Sequence, residues 1–159
     1  MITPTRIGSV LAMTAMALKV FAFYYGIGGV DQGQYIILLH LFLILLGTFV
    51  AVTTANKESD WVDQIKTGMK AVSTYAILYC IFLYFHYKYI DTIYFEERIS
   101  AIAAGLPEEG KNKGEKNLNS FFTPFNYATI TLVSFMVSGA IYTFLITALD
   151  RKVLRNIKR

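Results

Sequence analysis

The sequence is poor in the residues that carry most catalytic and metal chemistry. Its 159 residues include two histidines, His40 and His86, and one cysteine, Cys80. A lone cysteine excludes an intramolecular disulfide and leaves the redox compartment undefined. These three residues have no metal-ligand spacing. A nucleophile elbow and a phosphate loop are also missing. Gly26-Ile27-Gly28-Gly29 lies in a turn between two apolar runs, so it is not a nucleotide fingerprint. Neither an enzyme nor a bound metal or cofactor is expected. Charge is scarce too, at 16% of the residues against roughly 25% in an ordinary soluble domain. All eleven acids fall in loops or at the ends of apolar runs, so no carboxylate is placed to carry a coupled proton mid-membrane.

Apolar side chain is abundant: 55% of residues are hydrophobic and 15% aromatic. A water-soluble fold of this size could not hide that much, so lipid is the expected surrounding. Four runs, at 6–28, 33–54, 68–90 and 124–149, each reach the roughly 17–25 residues that cross a hydrocarbon core. Backbone polar groups in lipid are satisfied internally, so the runs are expected as helices. Pro124 suits the first turn of the fourth. The first run is longer than a signal-peptide core of about 7–15 residues and no A-x-A-like site follows it, so it is expected to be retained. The chain is thus expected to be a single transmembrane domain, 1–159, with an all-α four-helix bundle fold.

The bases set an orientation. Five of the fifteen lie in the last nine positions, namely Arg151, Lys152, Arg155, Lys158 and Arg159. Directly after an apolar run, such a cluster marks a cytoplasmic end more often than a nucleic-acid contact, and no nucleic acid is expected. With Arg6, Lys57, Lys66 and Lys70 they outnumber the bases of the other face, and the first connection, 28–34, has none. Both termini are therefore expected in the cytoplasm. The long third connection, 91–123, is expected to carry an amphipathic helix over 93–106, with Ile99, Ile102 and Leu106 on one face and Glu97 and Arg98 opposite. A charged flexible loop is expected over 107–119. Tyr84, Phe85, Tyr87, Tyr89, Tyr94 and Phe95 would form an outer interfacial belt, with His86 among them.

Polar side chains within the runs are the candidate site. Lys19 lies roughly 13 Å from the outer end of its helix. It belongs to a stripe of Gly8, Ala12, Ala15, Lys19, Ala22 and Gly26 at alternating steps of four and three. Small stripes let helices approach, so Lys19 is expected to point inward. His40 lies roughly 10 Å below the outer end of the second run, on a face with Ile44, Gly47, Ala51 and Thr54. Tyr79, Cys80, Thr131 and Ser134 reach about the same depth. The expected polar layer is Lys19, His40, Tyr79, Thr131 and Ser134, with a neutral, hydrogen-bonded His40. Gly8, Ala12, Ala15, Gly47 and Ser138 are the expected helix-packing positions. Such a layer sets helix register or forms an intramembrane functional site.

The third run and its flanks carry a resemblance. Asp60-Trp61-Val62-Asp63-Gln64-Ile65-Lys66-Thr67-Gly68-Met69 leads into a tyrosine-rich span. That span exits through Tyr84-Phe85-His86-Tyr87-Lys88-Tyr89-Ile90-Asp91, followed by Tyr94-Phe95-Glu96-Glu97. The pattern resembles a bacterial family of four-span membrane proteins known as domain of unknown function 4199. That family often has proline where this chain has Thr92. The resemblance implies architecture and a bacterial cytoplasmic (inner) membrane, and no activity. Small-residue faces and the lack of catalytic groups lead to the expectation of a non-catalytic accessory or structural subunit, partnered by lipid and other integral membrane subunits. The alternative is a small transporter or channel subunit that uses Lys19 and His40.

Overall fold

The computed structural model describes residues 3–27, 33–55, 59–105, 107 and 111–151, with backbone alone for 33, 34 and 111–113. These residues form six helices and, among them, no strand: α1 (Pro4–Tyr24), α2 (Gly33–Thr53), α3 (Trp61–Tyr89), α4 (Tyr94–Ala103), α5 (Lys111–Phe121) and α6 (Pro124–Leu149). Lys57, most of the first connection and the tail bases beyond Arg151 lie outside the described residues.

Side-chain caps fix where three of the long helices begin. The Thr3 hydroxyl accepts from the Arg6 N–H, and Thr123 accepts from Asn126, each with proline at the first helical position. Asp60 accepts from the Asp63 N–H at 2.7 Å, which starts α3 at Trp61 instead of the expected 68. The amphipathic lead-in is therefore part of the helix. α1 stops at Tyr24, earlier than expected, and Gly26 takes a left-handed φ of 64° just beyond it.

α1, α2, α3 and α6 are each long and apolar enough to cross a membrane. Their outward faces carry large apolar side chains: Met13, Ile37, Phe42, Ile81, Val137 and Phe144 are all more than half exposed. Continuous apolar bands of this kind are foreign to a soluble monomer, and this is a membrane protein.

α3 packs against α1, α2 and α6, and α2 also packs against α1 and α6. Close approach depends on glycine. A Cβ on Gly8 would fall on the Ala71 carbonyl oxygen of α3, and one on Gly139 would fall on the Val72 side chain. At Gly68 it would lie 2.7 Å from Thr143 Cγ2, and at Gly47 2.6 Å from Leu11 Cδ1. These contacts hold together the half of the molecule where α1 and α3 begin.

The opposite ends of the long helices meet α4. Its buried face is Tyr94, Phe95, Ile99 and Ala103. This differs from the expected face: Ile99 points inward, Ile102 is 38% exposed and borders a hollow against α5, and Leu106 lies outside the described residues. The stretch expected as a loop contains α5. Leu118 and Phe122 pack against the main core, which gives this polar segment enough apolar contact to hold a helix. The aromatic belt also divides. Phe85 and Tyr89 are exposed, whereas Tyr87, Tyr94 and Phe95 are buried. His86 is no interfacial residue: it is 1% exposed, with its ring against Phe23, Phe82 and Tyr87.

Candidate site: a polar cavity beneath α4

Gly8, Ala12, Ala15 and Lys19 of the α1 stripe are buried. Ala22 is half-buried and Gly26 exposed, so the stripe ends as the chain leaves the helix. The Lys19 ammonium is set over two rings, with Nζ 5.1 Å from the Tyr87 centroid and 5.5 Å from that of Tyr94. Ring faces attract a cation, the more so away from water. Among the described residues, one carboxylate acts on Lys19. Asp91, just past α3, is only 9% exposed. Burial pushes its carboxyl above the usual range, Lys19 opposes that rise and Glu97 adds to it. Asp91 Oδ2 lies 4.0 Å from His86 Nε2.

His40 enters from α2 and is buried. Its Nδ1 shares a 2.5 Å hydrogen bond with the Tyr75 hydroxyl of α3. Tyr79 and Phe135 flank the imidazole, with centroids at 4.4 and 5.2 Å. This geometry fixes the ring and answers one of its nitrogens.

These groups border one cavity of about 690 Å³. Lys19, His40 and Tyr79 line it from α1, α2 and α3, and Thr131, Ser134 and Ser138 line it from α6. All five residues of the expected polar layer therefore face the same space. Cys80, expected at similar depth, lies on another side of α3, in a hollow with Ile81 and Phe125. Ser138 stands in the cavity wall, and the close α6–α3 contact falls on its neighbour Gly139.

Four further polar residues stand in the wall: Tyr87, Tyr94, Arg98 and Tyr127. The Tyr127 ring stands edge-on to Tyr87 at 5.4 Å and to Tyr94 at 6.2 Å, and the Tyr87 and Tyr94 rings stack at 4.6 Å. Arg98 stands one turn after Tyr94 on α4. Its Nε is buried without a hydrogen-bond partner, and its guanidinium lies 5.9 Å from the Phe122 centroid. The sequence does contain the signal for Arg98, its i,i+4 spacing from Tyr94. Reading α4 as a helix with a wet face hid it, because the side carrying Arg98 borders the cavity instead of open water.

A second polar group ties the other end of the molecule. Gln64, fully buried on α3, donates to Asp150 Oδ2 at 2.9 Å and accepts from Arg151 Nε at 3.0 Å. Arg151 Nη2 also donates to the Ser59 carbonyl at 2.8 Å. This joins the start of α3 to the end of α6.

Among the described residues, no group of three or more His, Cys, Asp or Glu is placed to hold a metal ion. The cavity instead presents two cations and several hydroxyls between apolar walls, a donor set suited to an oxyanion. Its volume is that of a small-molecule site, roughly 300–1,000 Å³. Compared with known proteins, the chain matches no family model, no curated protein and no solved structure.

Proposed function

We propose that this is a non-enzymatic, four-span bundle protein of the bacterial inner membrane that binds a ligand carrying a negatively charged oxygen group, as part of a small transporter. Both termini lie in the cytoplasm, held there by the basic tail, and the cavity occupies the outer half of the membrane. The observation that carries this reading is the convergence of Lys19 and Arg98, from α1 and α4, on a cavity with hydroxyl-bearing walls. An intramembrane cation turned inward is costly unless something answers it, and a bound anion would do so. The test is binding of a panel of carboxylates and phosphates to the purified chain, followed by flux in vesicles. Saturable binding that weakens at least tenfold in Lys19→Gln supports the proposal. Unchanged binding in that variant sinks it. A carboxyl-terminal reporter that reads as periplasmic would reverse the topology.

A second reading, an accessory subunit of a larger membrane complex, is supported by Ser134. Ser134 is exposed within a candidate span on the side of the cavity, where a neighbouring helix closing the gap between α2 and α6 could cover it. Gentle extraction with mass spectrometry of co-purifying proteins tests it, and a chain recovered alone at native expression counts against it.

A further inference from the structure

The cavity is not uniform, and its asymmetry bears on the ligand. Its cationic part lies against α4, where Lys19 meets the Tyr87 and Tyr94 rings and Arg98 follows Tyr94 by one turn. Its other boundary is hydrocarbon: Ile36, Ile37 and Leu41 from α2 and Ile130 from α6. Ile37 is 60% exposed and Ile130 47%, so this side opens between α2 and α6 onto the lipid-facing surface. The end nearest the α4–α5 segment is covered. Tyr94 and Phe95 are buried there, and Phe122 lies beside the Arg98 guanidinium. A small hydrophilic anion would have to pass this aromatic cover, whereas a molecule dissolved in the bilayer meets an opening.

We propose that the ligand is a long-chain amphiphile with a single oxyanion head, a carboxylate or a phosphate monoester, which comes sideways from the bilayer. Its head sits between Lys19 and Arg98 and its hydrocarbon chain lies in the gap between α2 and α6. This rests on the ligand-binding reading above and narrows it to one class. Arg98 brings a forked donor to the head, and its Nε has no competing hydrogen bond within the protein.

The experiment is equilibrium binding of radiolabelled palmitate to the full chain in a neutral maltoside detergent, with hexadecanol, acetate, inorganic phosphate and a palmitoyl lysophosphatidate as competitors. Palmitate and the lysophosphatidate should compete alike. Hexadecanol should compete roughly tenfold or more less well, because it lacks the charge-assisted bonds. Acetate and inorganic phosphate should be weaker still. Arg98→Gln should lower palmitate affinity by a similar factor. It is half-exposed, so it tests the head site even if Lys19→Gln fails to fold. Ile37→Trp should block the lateral opening and weaken palmitate more than acetate. Acetate or phosphate binding as tightly as palmitate would overturn the amphiphile while leaving an anion site standing. Hexadecanol binding as well as palmitate, or no binding of any of these probes, would overturn both.

Discussion

The two halves of the molecule use the same four long helices in opposite ways. Where α1 and α3 begin, glycine faces side chain or backbone: Gly8 on Ala71, Gly68 on Thr143 and Gly139 on Val72. Ala12, Val52, Ala76 and Thr143 lie nearby with no exposed surface. Under α4, the facing residues are large and polar, with Tyr79, Tyr87 and Tyr127 beside Lys19 and His40, and the helices stand around a cavity of about 690 Å³. The width of the side chain at each seam sets how far apart the helices stand. A closed half fixes their geometry, and the open half uses that geometry to hold polar groups in place.

The comparison is broken most severely by filling a seam. Gly139→Leu should cost about 3 kcal/mol or more, since its first carbon already collides with Val72. Adding Val72→Ala should recover part of this loss. The neighbouring Ser138→Leu, which faces the cavity, should cost less than about 1 kcal/mol. Unfolding midpoints in detergent measure all three. Equal losses at positions 138 and 139 would mean that the halves do not differ as described.

Next in size are the polar ties. Gln64→Leu removes bonds to Asp150 and Arg151 in a fully buried place and should cost about 2 kcal/mol. It acts on the closed half, so ligand binding by the remaining folded protein should be unchanged. Tyr75→Phe leaves His40 Nδ1 without its partner and should cost about 1 kcal/mol. In a double-mutant cycle with His40→Leu the two losses should fall short of additive. Additive losses would show that the 2.5 Å contact contributes nothing to stability.

The elements of the closed half and the grouping of Lys19, His40, Tyr79, Thr131 and Ser134 around one space were legible in the sequence. Hydropathy marked all four spans, and counting residues from the span ends placed Lys19, His40, Tyr79, Thr131 and Ser134 at one level. Helical periodicity put Gly8, Ala12 and Ala15 on one face. Rotation about each helix axis was harder to read. α6 is apolar nearly all round, so nothing in its pattern favours Gly139 over Ser138 as the seam residue. α4 differs: its ten residues are amphipathic, with Tyr94, Phe95, Ile99 and Ala103 buried and Glu96 and Glu97 exposed, and its contact with Tyr87 and Tyr127 decides that Tyr94 and Phe95, not Ile102, turn inward. His86 was misplaced because an aromatic neighbourhood is common both to an interface and to a core. The burial of Asp91 depends on how α4 turns back, which the residues around Thr92 do not announce.

The smallest expected effect belongs to Asp91 and concerns the border of the open half. Burial holds its carboxyl above the ordinary range in the folded chain. Over that interval the folded state binds more protons than the unfolded state. The stabilising contribution is therefore fully present below the ordinary carboxyl range and is lost as pH rises through the shifted value. Asp91→Asn should remove this fall. The test is the difference between wild-type and Asp91→Asn unfolding midpoints from about pH 4 to about pH 7, which cancels the other carboxylates. A flat difference would mean that Asp91 meets the same surroundings folded and unfolded. Lys19 sharpens the test, because it opposes the rise whereas Glu97 adds to it. In a Lys19→Gln background the loss should be steeper, as the buried carboxylate then loses its nearby cation. If the loss is the same with and without Lys19, the two charges do not meet across the cavity border, and within the protein Lys19 is answered by the Tyr87 and Tyr94 rings.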